Sequence, residues 1–168
     1  MTQGRIDLAG QGSWYRYLVY QPIAPPITGF EPVDPQDLNR YSTETMLGQV
    51  ALSVPDTIQA ICARHFYEYA DPVYSVQLMM PGQVLPLHTD TYARYQAHAG
   101  VTAEQIFRTI VFVEDWQSGH ISEVDGRPIC DWRRGDYVTW QGRTKHMAAN
   151  LGHSPRYTLQ ITARKKQQ

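Results

Sequence analysis

Ile121-Ser122-Glu123-Val124-Asp125-Gly126-Arg127-Pro128-Ile129-Cys130-Asp131 is the stretch that decides the fold. An Asp-Gly pair between short runs bearing β-branched residues is a strong hairpin signal, because both turn positions need a positive φ. Reading outward, residues 73–80 and 107–113 form strands upstream, and residues 137–140 and 157–163 form strands downstream. Short strands at close spacing, with little helix between them, predict an antiparallel sandwich or barrel. A parallel sheet would need crossover helices that this half of the chain has no room for.

The N-terminal part reads differently. Residues 14–20 (Trp-Tyr-Arg-Tyr-Leu-Val-Tyr) carry enough aromatic and β-branched side chains to start a strand. Prolines from Pro22 to Pro35 keep the chain extended and wrap it over a surface. Asp34 and Pro35 suit the cap and first position of a short helix. A clearer helix starts near Pro55, with Ile58, Ile61, Cys62 and Phe66 on one buried face and Asp71-Pro72 as its end. The 168 residues fit one domain, residues 1–70 supporting a β core over residues 71–168.

Composition narrows the class. Hydrophobic content of 42%, aromatic content of 11% and a formal charge of −1 describe a globular chain without a broad basic surface. They argue against nucleic acid as a partner, and Arg164-Lys165-Lys166 reads as a solvated terminus. Cys62 and Cys130 follow no ligand spacing, so each is expected to be a buried free thiol in a reducing compartment. No apolar run approaches the roughly 18 residues of a membrane span, and residues 1–7 lack the core of a secretory signal. A soluble, cytoplasmic protein with no membrane partner is the expectation.

The chemistry concentrates in Leu85-Pro86-Leu87-His88-Thr89-Asp90. In an extended segment residues two apart point to one side, so His88 and Asp90 can reach one ion. Such a pair also arises by chance, and the residues downstream give it weight. Gly135-Asp136 turns into a strand, His146 comes after it, and Arg156-Tyr157-Thr158 opens the last strand. Two histidines and a carboxylate leave about three positions of an octahedral ion open, two for a chelating keto acid and one for O2. A keto acid with a distal carboxylate needs a cationic fork, which Arg156 offers in place of a surface salt bridge, with Thr158 adding a hydroxyl. Gln77, on the strand before the first ligand, either bonds this cosubstrate or marks the polar edge of the core. His98, His120 and His153 read as non-ligands, with His120 able to line a pocket. Trp116, Trp132 and Trp140 read as packing residues. Tyr92, Arg94 and Tyr95 suit a lid or substrate loop.

The order His88-x-Asp90, His146, Arg156-x-Thr158 resembles the Fe(II)/2-oxoglutarate oxygenase superfamily over about residues 73–163. Within it, Trp132, Gly135-Asp136, His146, Asn150 and Arg156 look closest to the aspartyl/asparaginyl β-hydroxylase-like and free-proline hydroxylase branch. That branch has a second arginine on the strand after the first ligand, a place Arg108 takes if residues 91–105 are an insertion. The resemblance implies a mainly β fold, a double-stranded β-helix (jelly roll, cupin-like) with flanking N-terminal helices. It implies Fe(II) on His88, Asp90 and His146, and 2-oxoglutarate on Arg156, Thr158, Gln77 and Arg108. O2 and a small-molecule or peptide substrate would complete the set. Halogenases of the superfamily have a small residue where Asp90 stands, so hydroxylation is the expected reaction. Two other readings compete: a metal cupin enzyme without a keto-acid cosubstrate, and a non-enzymatic jelly-roll ligand-binding protein.

Overall fold

Asp125 and Gly126 take φ of 55° and 70°, the two positive values of a type I′ turn. They join β7 (His120–Val124) to β8 (Arg127–Ile129) in the expected hairpin. The structure, a computed structural model, describes residues 1–23 and 48–166. The expected helix start at Asp34-Pro35 and most of the proline-rich stretch lie outside the described residues.

The hairpin belongs to a four-stranded sheet completed by β5 (Val84–His88) and β10 (His146–Asn150), in the order β5-β10-β7-β8. Facing it is a larger sheet. Its strands are β1 (Thr2–Arg5), β2 (Gln21–Pro22), β3 (Gln49–Ala51), β4 (Tyr69–Met79), β6 (Ile106–Phe112), β9 (Asp136–Gln141) and β11 (Arg156–Lys165). Their order is β1-β9-β6-β11-β4-β3-β2. All pairings are antiparallel, so the expected double-stranded β-helix is the architecture.

Period-two alternation gives β11 two different faces. Leu159, Ile161 and Ala163 look outward onto Ile58 and Cys62 of α1 (Asp56–His65) and Phe66 just after it, together with Ile6, Leu8 and Tyr15. Arg156, Thr158 and Gln160 look the other way, into the space between the sheets. There Phe112, Val138, Trp140, Val124 and Trp132 form an apolar cluster, Trp132 stacked on Phe112 at 4.0 Å. Gly135 turns into β9 at φ 89°, where a side chain would run into the Ile6 carbonyl.

Three expectations need correction. Residues 14–20 do not start a strand: Trp14–Tyr17 is a 3₁₀ turn. Its aromatic content serves packing rather than a ladder, with Tyr15 buried 4.9 Å from the Tyr157 ring. The helix ends before Asp71-Pro72, where the Phe66 amide bonds the Cys62 carbonyl. Asp71 (φ 49°) and Pro72 instead lie within β4, beside a register break on β11, where a missing N–H is tolerated. Cys130 is exposed, whereas Cys62 is buried and its thiol is pushed up to about 12 by desolvation. Among the described residues, no helix is long and apolar enough to cross a membrane.

Candidate metal and anion site

His88 ends β5 and His146 begins β10, and the two are direct Cα partners across the ladder. That register, not their distance in sequence, brings the rings to 4.2 Å. Asp90, just past the strand, stands 3.6 Å from His88 Nε2 and 3.8 Å from His146 Nε2. One donor atom from each residue lies within 4.8 Å of the others.

The imidazoles are set for the same task. His88 Nδ1 lies 2.7 Å from the Pro86 carbonyl, and His146 Nδ1 lies 2.9 Å from that of Thr144. A carbonyl only accepts, so each Nδ1 carries a proton and each Nε2 is the ring nitrogen facing Asp90. Burial, opposed by Asp90, lowers the His146 pKa to about 4, so this ring is neutral at physiological pH. Trp140 packs 4.8 Å from it. Burial alone would raise the Asp90 carboxyl, but Arg108 and the two histidines outweigh it and hold it well below the usual range. The two imidazoles and the carboxylate form a donor set that could hold a metal ion.

Arg108 lies on β6, after a helical excursion of residues 91–105 that holds α2 (Ala93–Ala99) and a 3₁₀ turn, Ala103–Gln105. Its Nε and Nη2 both donate to Asp90 Oδ2, at 3.1 and 2.8 Å, and its guanidinium sits 5.4 Å from the Tyr92 ring. Arg108 is thus engaged with the carboxylate ligand. A polar chain continues through Gln160 Oε1, at 3.4 Å, to Gln77, whose Oε1 accepts from Gln160 Nε2 at 3.2 Å. Gln77 ends that chain in the wall of the central cavity.

Arg156 and Thr158 line the same cavity as His146. Arg156 is 2% exposed, pairs with Met79 across the ladder and lies 5.5 Å over Trp132. Its Nη2 donates to Ser122 Oγ and its Nη1 meets Met79 Sδ at 3.3 Å, while Nε has no partner among the described residues. Among the described residues no carboxylate lies within ion-pair distance of it. Burial lowers its pKa to about 10, with partial relief from Glu114, so it stays charged at neutral pH. Thr158 is fully buried and its Oγ1 also lacks a partner among the described residues. A buried cation beside two unsatisfied donors is costly unless an anion completes it.

The other histidines stay apart from the triad. His98 and His153 are exposed. His120 is buried, its Nε2 on the Ser154 carbonyl at 3.1 Å, and burial lowers its pKa. The residues the sequence reading missed are Ser122 and Met79, which hold Arg156 from two strands. Ser122 had a signal: it falls on the inward positions of β7 with His120 and Val124.

No protein-family model matches the chain, and no curated protein matches it. The similarity is to solved structures. A Pseudomonas putida prolyl-4-hydroxylase is 16% identical, with a TM-score of 0.50 over 79% of this chain and 81% of that one. A predicted oxalate decarboxylase from Thermotoga maritima is 12% identical, with a TM-score of 0.49 over 89% and 95%. An RmlC-like cupin from Shewanella frigidimarina is 11% identical, with a TM-score of 0.39 over 57% and 68%. At these identities the likeness is one of fold. The chain folds as a cupin-type double-stranded β-helix with a His-Asp-His group between its sheets.

Proposed function

We propose that the protein is an Fe(II)- and 2-oxoglutarate-dependent dioxygenase that hydroxylates an amino acid, a peptide side chain or another small metabolite. The observation that carries the reading is Arg156, a buried guanidinium with no carboxylate partner among the described residues, lining one cavity with His146 of the candidate triad. His88, Asp90 and His146 would hold Fe(II), and their donor set suits it: two imidazoles and one carboxylate leave positions for a chelating keto acid and O2. Arg156 and Thr158 would hold the distal carboxylate, through the donors that now lack partners.

Bound there, iron and 2-oxoglutarate would supply, with O2 as oxidant, decarboxylation of the keto acid to succinate and CO2, coupled to insertion of the second oxygen atom into a substrate C–H bond. The chain's own part is placement. Arg108 holds one oxygen of Asp90, which leaves the other for the ion. Trp140, Val124 and Val138 of the apolar cluster line the cavity and give it an apolar wall.

A competing reading, a metal cupin enzyme without a keto acid, takes support from the contacts of Arg156 with Ser122 and Met79, which give the guanidinium a structural use. Succinate formation, followed across a panel of amino acids and peptides with iron, ascorbate and 2-oxoglutarate, separates the two. Turnover independent of 2-oxoglutarate would sink the oxygenase reading.

A further inference from the structure

Ser122 sits on the four-stranded sheet, whereas Arg156 and Thr158 sit on the larger one, and all three line one cavity. We infer, resting on the oxygenase reading, that Ser122 is a third ligand for the distal carboxylate of the keto acid.

The chemistry of its hydroxyl carries this. Arg156 has donors only, so in the Arg156–Ser122 bond the Ser122 oxygen accepts and its own O–H proton is left over. Among the described residues that bond is the side-chain hydrogen bond of Ser122, which is buried at 6% exposure. The backbone of Ser122 is occupied in the ladder with Ala148 and Ile129, so the hydroxyl is the group left to act. Three donors on the lining of this cavity therefore have no acceptor among the described residues: Ser122 O–H, Arg156 Nε–H and Thr158 O–H. A carboxylate has about four lone-pair sites on two oxygens and can take all three. A neutral or monofunctional keto acid cannot.

Because the donors come from both sheets, the ligand would tie the sheets together as it binds. The consequence is selectivity for a second carboxylate, which neither Thr158 nor the metal alone provides.

Calorimetric titration of Mn(II)-loaded protein with 2-oxoglutarate, and with pyruvate as the same chelating head lacking the distal carboxylate, tests the assignment. Ser122→Ala should weaken 2-oxoglutarate by roughly tenfold, one charge-assisted hydrogen bond, and leave pyruvate and Mn(II) affinity unchanged. Ser122→Cys, with a weak donor of similar size, should fall between parent and alanine. Combined with Arg156→Ala, the Ser122→Ala change should still weaken 2-oxoglutarate, since the contact is direct. Equal losses for both ligands, no loss, or an effect that vanishes without Arg156 would overturn the role of Ser122 while the oxygenase reading stood. A parent protein that binds 2-oxoglutarate no better than pyruvate would overturn both.

Discussion

His88 and His146 each tie Nδ1 to the carbonyl two residues earlier, Pro86 and Thr144. The rings are oriented by their own strands before any ion arrives, so removing one should cost metal binding more than fold. His146→Ala should lower Fe(II) or Mn(II) affinity by about a hundredfold or more. The far-ultraviolet dichroism should stay near that of the parent, and retained affinity would sink the triad. Arg156 belongs to the other end of the chemistry. Arg156→Ala should raise the apparent 2-oxoglutarate constant by roughly tenfold or more, the loss of charged hydrogen bonds, with iron affinity nearly unchanged. Arg156→Lys should lie between, keeping the charge and losing the fork. Parental affinity in the alanine variant would favour the cupin reading. Arg108 donates to a ligand, so its variants should act on the metal constant before the keto-acid one.

At the scale of elements, the β7–β8 hairpin was legible because its turn chemistry is local. Gly126 stands at φ 70° with no neighbour to crowd a side chain, so any cost of replacing it is backbone strain. Gly126→Val should destabilise the protein by about 1–2 kcal/mol in chemical denaturation, and Gly126→Asn by much less. Equal losses would mean that the turn is not what strains. The strands near residues 73–80, 107–113, 137–140 and 157–163 and the helix near Pro55 were readable for the same reason, since period and composition are local properties, whereas β10 was not read as a strand. Trp14–Tyr17 was not, because its aromatic side chains are used against Tyr157, a residue far along the chain. The helix α2 inside residues 91–105 also escaped notice: its buried contacts are Tyr92, Tyr95, Ala103 and Ile106, a small cluster of its own.

For the whole molecule, protons and ligands should both register in stability. His146 has an ordinary pKa of 6.5 and a folded value lowered to about 4 by burial. Between these values the unfolded chain binds the proton and the folded one does not, so stability falls as pH drops through that window. Melts of the metal-free protein from pH 7 to pH 4 should show the slope, at most about 1.4 kcal/mol per pH unit from this group. His146→Asn should flatten it, and an unchanged slope would assign it to other groups. Ions acting at the triad should shift the same melts upward: Mn(II) at a hundred times its dissociation constant should stabilise by about 2.7 kcal/mol. A flat response to Mn(II) would remove the metal from the site.

What the sequence by itself determined is what repeats locally: alternation of apolar residues, an Asp-Gly turn, and the order His-x-Asp, His, Arg-x-Thr. These were enough for the β architecture and for the residues most worth testing. Tertiary structure alone decided which side chains meet across strands and sheets. His88 opposes His146 through ladder register, Arg108 crosses to Asp90, and Ser122 and Met79 close on Arg156 from separate strands. Register and the facing of two sheets depend on packing summed over many distant residues. No short stretch of the chain carries that sum, so these partnerships appear only once the core has formed.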